Sequence, residues 1–374
     1  MAPTECPVQY MDPNLLPKSY KATLTKKDAL RAGMAIRRFM EDRLSKDLNI
    51  VKSPGPLAFE ASCRVNDDLD GSEAHKAVGF HIMNIARDRG VIKKTQEKEK
   101  FGMDAEVVQS LANWKRIMLK FFDFQVGEGL FCESTSIRKG YKGDVTHSNI
   151  ADQWDWEIRI DESMYNVEFL KSTVRKIWCI LKDCEAMIAR DFCIQPSLPP
   201  SIHFTDPEEL HAMWPGASIH ERETNAVRKW GAIFIIGMGW PLKDGSAPEE
   251  VRSPSYDNWN LNGDIIVRHP VTGYRHELSS MGIRVNASTL KAQLEHRGMT
   301  ELESKPYHSA ILNNQLPLSI GGGIGISRLL MLLLQTGHIG EVQVGVWHDA
   351  HHAQAKSQAG IELIPDRILP GFFA

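Results

Sequence analysis

Gly321-Gly322-Gly323-Ile324-Gly325-Ile326-Ser327-Arg328 is the stretch that decides how this chain can fold. Its glycines leave the backbone bare, so a ligand can approach it closely. The apolar run that follows reads as a helix, expected to start within residues 321–327 and to reach about Gln335. The first turn of such a helix offers unpaired N–H groups to anions, and Arg328 adds a planar cation suited to phosphate oxygens. The stretch does not complete a dinucleotide fingerprint, because Arg328 stands where the third glycine belongs and no βαβ unit follows. A G-x-x-x-x-G-K-[ST] loop is absent as well. The alternative is a glycine-rich turn against a sheet, with Arg328 at the surface.

Upstream, strand candidates occupy residues 232–236, 264–268 and 274–285, the last after a turn at Thr272-Gly273. Asp264 and Glu277 fall on adjacent segments joined by that turn, so both carboxylates can face one side of a hairpin. Such a pair suits Mg²⁺ bridged to phosphates, which takes one or two protein oxygens; the bland reading is two half-exposed acids at strand ends. In Gln153-Trp154-Asp155-Trp156-Glu157, strand alternation turns the polar residues to one face and both tryptophans to the other. Ser110, Trp114, Lys115, Arg116 and Arg138 bring hydroxyl and cationic groups able to meet a carboxylate or phosphate, although each alone is normally a solvated side chain. Residues 164–192 read as a long helix with Leu170, Val174, Ile177, Trp178, Leu181 and Cys184 on one side. Thr25-Lys26-Lys27-Asp28 has capping-box spacing and opens a helix that ends before Ser53-Pro54-Gly55-Pro56.

The 374 residues are 42% hydrophobic and 24% charged, which excludes disordered and collagen-like classes. Lys plus Arg is 44 against 47 acids, a net charge of −3, so bulk charge gives no support for a nucleic-acid partner. Six cysteines without C-x-x-C indicate reduced thiols rather than disulfides or a zinc ribbon. The N-terminal twenty or so residues lack the apolar core of a signal peptide, and no apolar stretch is long enough to span a bilayer. A cytoplasmic protein without membrane contact is expected: a tail over residues 1–20, then one α+β domain over 21–374. His348, His351 and His352 can share a helical face; a surface cluster is favoured over a metal site, since no fourth ligand is evident. H-E-x-x-H and G-x-S-x-G are absent, which argues against zincin proteases and α/β-hydrolases.

The order of these pieces resembles the catalytic core of class II aminoacyl-tRNA synthetases. Pro56 sits where that family's dimer motif lies, Arg138 with Gln153-x-Asp155-x-Glu157 looks like its second motif, and Gly323-x-Gly325-x-x-Arg328 like its third. VVQSLANWKR, DFQVGEGL, DQWDWE, LKSTV, YDNW, LNGDI, ELSSMGIRV and GGGIGISRLLMLLLQTGHIG together are similar to the ammonia-dependent asparagine synthetases, the aspartate–ammonia ligases, from about Arg64 to Trp347. The resemblance implies an antiparallel sheet flanked by helices, a homodimer, and conversion of L-aspartate, ATP and ammonia into asparagine, AMP and pyrophosphate through a β-aspartyl adenylate.

The resemblance also implies roles by position. Arg138 would hold the α-phosphate, Arg328 the outer phosphates, and Gly323 and Gly325 the nucleotide; Asp264 and Glu277 would handle Mg²⁺ and ATP, with Ser280 beside them. Asp67, Ser110, Lys115, Gln153, Asp155 and Arg252 would frame aspartate, and Asp257 would lie near the reacting carboxylate. Asp67 or Asp257 would attract ammonium and accept its proton. Departures from the family are extra residues at the start, an insertion-like segment near residues 80–103, a histidine-bearing tail after Trp347, and Gly140 where an acid is expected. Ala2 rather than cysteine argues against an N-terminal-cysteine glutaminase, so free ammonia is the expected donor. The rivals are a tRNA ligase, which needs an anticodon module and a basic surface, and a non-catalytic binding module on the same fold.

Overall fold

Thr25 opens the first helix as its spacing requires: its hydroxyl accepts from the Asp28 amide at 3.1 Å, and α1 (Lys26–Leu48) runs until Asn49 turns left-handed at φ 56°. The computed structural model describes residues 20–63, 65–66, 76–83, 102–141, 143–246 and 252–368. After α1 come β1 (Ile50–Lys52), β2 (Ala58–Glu60), β3 (Gly79–Met83) and β4 (Gly102–Val107). Next follow α2 (Ala112–Phe121), β5 (Gly129–Ile137), β6 (Ile150–Arg159), α3 (Val167–Phe192), β7 (His203–Thr205), α4 (Pro207–Met213) and α5 (Ile219–Trp230). The chain then forms β8 (Ala232–Ile236), β9 (Asp257–Arg268), β10 (Arg275–Arg284), α6 (Ala287–Arg297) and α7 (Pro306–Leu312). It closes with β11 (Ser319–Gly325), α8 (Ile326–Leu333) and α9 (Asp349–Ala359).

The main sheet runs in the order β1-β5-β6-β11-β10-β9-β8-β7. Its central pairings are antiparallel as expected, but both edge pairs, β1 with β5 and β7 with β8, are parallel, so the sheet is mixed. The glycines form a central strand, residues 319–325, rather than a turn, and α8 begins at Ile326, within the window expected for the helix start. Glycine suits the place because β11 is squeezed between two neighbours. A Cβ on Gly321 would lie 2.0 Å from Glu157 Oε2, and one on Gly322 would lie 2.4 Å from Met281 Cβ.

One face of the sheet carries Trp154, Trp156, Ile265, Val267, Met281, Ile320 and Ile324, which form the main core with residues of α1, α3 and α8. This face explains the apolar stripes of α1 and α3, whose spacing buries Ile36, Met40, Leu170, Val174 and Ile177. The other face is apolar only at its ends. There Leu130 and Cys132 pack with Leu119 of α2, and Ile233, Ile235 and Ile266 pack with Ala226 and Val227 of α5. Between those covers the middle strands present polar groups and glycines. A smaller sheet, β2-β4-β3, lies apart from the main one. The insertion-like segment enters it at residues 80–83 and 102–103, while 84–101 lie outside the described residues. The expected tail also lies outside them except for Tyr20, whose hydroxyl donates to Glu341 at 2.9 Å.

The expected surface histidine cluster is divided. His348 caps α9, but His351 is buried, stacked on Trp347 at 4.5 Å with its Nε2 3.0 Å from His338 Nε2. The cause is packing: α9 lays His351 onto the apolar cluster of Val145, Ile339 and Trp347. Among the described residues no group of three or more His, Cys, Asp or Glu is placed to hold a metal, and no helix is long and apolar enough to cross a membrane.

Two other buried histidines set an acid limit on stability. Burial lowers His269 and His308 from 6.5 to about 4, so both are neutral in the fold. The unfolded chain therefore binds protons first, and stability falls as pH drops from about 6.5 toward about 4. The loss is roughly 3 kcal/mol for each histidine. Urea midpoints across that window are expected to fall, with His308→Gln flattening the slope.

Candidate active site

Uncovered by helices, the middle of the second face opens into a cavity of about 620 Å³. Its wall gathers Ser110, Lys115, Arg138, Gln153, Asp155, Arg252, Asp257, Glu277, Ser280, Gly323, Gly325 and Arg328. All were expected in the site from sequence. Of the other two expected residues, Asp67 lies outside the described residues, and Asp264 is buried beneath Arg252, whose Nη2 pairs with it, rather than on the wall.

Register explains the convergence. Gly321, Gly323 and Gly325 stand opposite Glu157, Asp155 and Gln153, so along these three positions the polar face of β6 adjoins bare backbone. In β10 an irregularity between Glu277 and Ser279 makes Leu278 the extra residue. Without it Glu277 and Ser280, three positions apart, would face opposite ways; with it both line the cavity. A second irregularity, opposite residues 258–261 of β9, returns Asp257 to the side of Arg284.

Lys115 rises from α2 beneath the floor. Its ammonium donates to Asp155 Oδ1, the Trp156 carbonyl and the Gly322 carbonyl, each at 3.1 Å. The lysine is 1% exposed and its three N–H groups are used, so it tethers Asp155 and two strands rather than projecting into the cavity. Ser134 donates to the other Asp155 oxygen. Arg138 stands over the Tyr141 ring at 5.3 Å and donates to its hydroxyl at 3.1 Å; its Nε is buried with no partner. Arg252 also donates to Ser280 Oγ at 3.1 Å. Arg328, in the first turn of α8, donates to the Glu277 carbonyl at 3.0 Å. Burial would raise the Glu277 carboxyl, but Arg328, Arg275 and Arg252 hold it well below the usual range.

Arg284 had no role in the sequence reading, yet it organises one end of the site. Its Nε and Nη2 bind Glu157 at 2.7–3.1 Å, and its Nη1 binds Asp257 at 2.7 Å. Ser319 donates a further bond to Glu157 at 2.7 Å. Burial tends to raise Glu157, but Arg284 outweighs it and keeps that acid ionised. Asp257 comes out the other way: burial pushes its carboxyl up, Glu157 adds to the rise, and Arg284 and Arg252 only partly offset it. Arg275 was missed as well, because a strand-end arginine has no motif.

The cavity thus joins a cationic end, around Arg138 and Arg328, to a carboxylate end around Asp155 and Asp257. The aspartate-ammonia ligase family model matches residues 27–359. The aspartate–ammonia ligase of Clostridium perfringens (strain SM101 / Type A) is 38% identical over 340 residues, covering 91% of this chain and 96% of its own. The chain belongs to the aspartate–ammonia ligase family. Another member, from Mycoplasmoides gallisepticum, is 39% identical over 332 residues, covering 88% of this chain and 95% of its own. The fold of this chain is similar to that of asparaginyl-tRNA synthetase from Pyrococcus horikoshii complexed with asparaginyl-adenylate, with a TM-score of 0.56 at 13% identity, covering 85% of this chain and 68% of that one. Asparaginyl-tRNA synthetase from Entamoeba histolytica gives 0.55 at 14%, covering 85% and 67%. This chain thereby has the fold of the class II synthetases, as the resemblance of Gly323-x-Gly325-x-x-Arg328 and QWDWE implied. This member is a carbon–nitrogen ligase.

Proposed function

We propose that the cavity activates L-aspartate with ATP as a β-aspartyl adenylate, releasing pyrophosphate, and that ammonia then displaces AMP to give asparagine. Asparagine synthesis from aspartate and ammonia is the reaction of the family to which the chain belongs. The observation that carries the mechanism is the meeting of Arg138, Glu277, Arg328 and the Lys115–Asp155 pair on one cavity wall. A carboxylate approaching an α-phosphate is anion meeting anion, so fixed cations must screen both and hold them in line. In this reading Arg138 takes the α-phosphate and Arg328 the outer phosphates, while bare Gly323 and Gly325 admit the nucleotide. Gln153, Asp155, Ser110, Ser280 and Arg252 frame aspartate. Lys115 acts by positioning Asp155.

The residues present fit Mg²⁺. Arg252 and Arg328 are paired with Asp264 and Glu277, so those two acids need another cation once the arginines turn to the anionic substrates. Glu277 is the ligand on the wall, and Asp264 becomes available once Arg252 takes the aspartate carboxylate. The ion would neutralise phosphate charge while keeping most of its other ligands as phosphate oxygens or water.

Ammonium near neutrality must lose a proton before it can attack. Asp257 suits that task, because burial raises its carboxyl and makes it a better base. Asp257→Asn is expected to spare adenylate formation and slow the ammonia step. Single-turnover rates that fall equally in both half-reactions would remove Asp257 from this role. The whole reading is tested by supplying aspartate, ATP, Mg²⁺ and ammonium and looking for AMP with asparagine; ADP would mean a different ligase chemistry.

A homodimer is part of the proposal. Leu30 and Met34 of α1, Val51 of the edge strand β1, and Leu57 are large exposed apolar groups that suit a second copy, and the mass in solution tests it. A cytoplasmic location fits the free thiols Cys63, Cys132, Cys179, Cys184 and Cys193.

A further inference from the structure

Two arginines reach one carboxylate oxygen from different elements. Arg328 Nη1, from α8, is 3.6 Å from Glu277 Oε2, and Arg275 Nη2, from the start of β10, is 3.7 Å from the same atom. Both arginines line the cavity. Arg275 is held from behind: its Nε pairs with Glu223 of α5, a carboxylate that is 1% exposed. A buried carboxylate is costly unless paired, so this contact fixes the guanidinium strongly. Using Nε for Glu223 directs the Nη edge toward Glu277 and the cavity. A guanidinium pinned in this way presents its planar fork with little rotamer freedom left to lose.

We propose that Arg275 is the second jaw of a clamp on the outer phosphates of ATP, opposing Arg328 across Glu277, with Glu223 as its buried positioning residue. The assignment rests on the adenylation reading above and adds to it a group that binds pyrophosphate but not AMP. Arg275 then grips the leaving group, while Arg138, elsewhere on the wall, holds the phosphate that stays with the nucleotide. Substrates and products that lack the outer phosphates do not meet Arg275.

The test uses the full-length enzyme with ATP, pyrophosphate and AMP as separate probes by titration calorimetry and inhibition kinetics. Arg275→Ala is expected to weaken ATP and pyrophosphate by about ten- to a hundredfold, as for loss of a charge-assisted contact. AMP affinity and the aspartate KM are expected to stay within about twofold of the wild type. Arg275→Lys keeps a cation for Glu223 and should recover part of the ATP affinity but not all, since the fork is lost. Glu223→Gln should raise the ATP KM by a smaller factor and leave AMP binding intact. Equal weakening of ATP and AMP would reduce Arg275 to a structural part and overturn the clamp, as would unchanged binding of ATP and pyrophosphate. Failure of the wild-type enzyme to bind ATP or AMP would instead overturn the adenylation reading, and the clamp with it.

Discussion

Arg284→Met is expected to destabilise the protein by about 3–5 kcal/mol, the usual cost of stranding one partner of a buried ion pair. Glu157 is fully buried and takes three contacts from the arginine, leaving only the Ser319 hydroxyl if the guanidinium is removed. The sign of the pH dependence follows. In the intact protein Arg284 keeps the Glu157 carboxyl below its ordinary value. Without the arginine, burial dominates and the folded-state value rises above that of the unfolded chain. The variant's deficit is therefore largest at neutral pH and shrinks as pH falls through the raised value. Urea unfolding of Arg284→Met at pH 7 and pH 5 checks both statements. Adding Glu157→Gln should recover much of the loss, because it removes the stranded charge. A loss under about 1 kcal/mol at pH 7 would mean that the network is not what holds β6, β10 and β11 together. The ammonia step should also slow, since Asp257 would lose its 2.7 Å contact with Arg284 Nη1.

Arg138→Ala is expected to have the opposite profile: a large loss of rate with little loss of fold. Arg138 donates to Tyr141 at 3.1 Å and has only a long 3.5 Å contact with the Gln109 carbonyl, so few protein bonds depend on it. The residue lines the cavity, where its cation can meet a phosphate. Removing such a preorganised cation from a developing negative charge costs about 10²–10³ in rate. Rapid-quench measurement of pyrophosphate release should show that loss, while the thermal midpoint moves by only a few degrees. Arg138→Lys should rescue poorly, because a point charge does not reproduce the fork. A rate within about threefold of wild type would remove Arg138 from the α-phosphate.

Much of this site is readable without coordinates where local rules suffice. Trp154 and Trp156 alternate with Gln153, Asp155 and Glu157, and the two sets face the core and the polar side as period-two alternation requires. The Thr25 cap, the stripe of α3 and strand β8 follow from capping and periodicity. Tertiary packing overrode local rules elsewhere. Glycines that suggest a turn became the middle strand, because β6 and β10 crowd it from both sides. His351 left the surface because Trp347 offered it a stacking partner. Asp264 is an expected metal ligand by position, yet in the fold it lies under Arg252, and no spacing rule anticipates that contact.

The amino-acid order alone determined which chemical groups are available and which face of each regular strand they take, since both depend on identity and on a fixed local period. Only the folded sheet decided which of them meet. Glu277 and Arg284 are an odd number of positions apart, as are Asp257 and Asp264, and strict alternation would set each pair on opposite faces. The irregularities at Leu278 and at residues 258–261 reverse that parity. Such bulges are set by the neighbouring strands, so Arg284 and Arg275 become part of the site only when β9, β10 and β11 lie side by side.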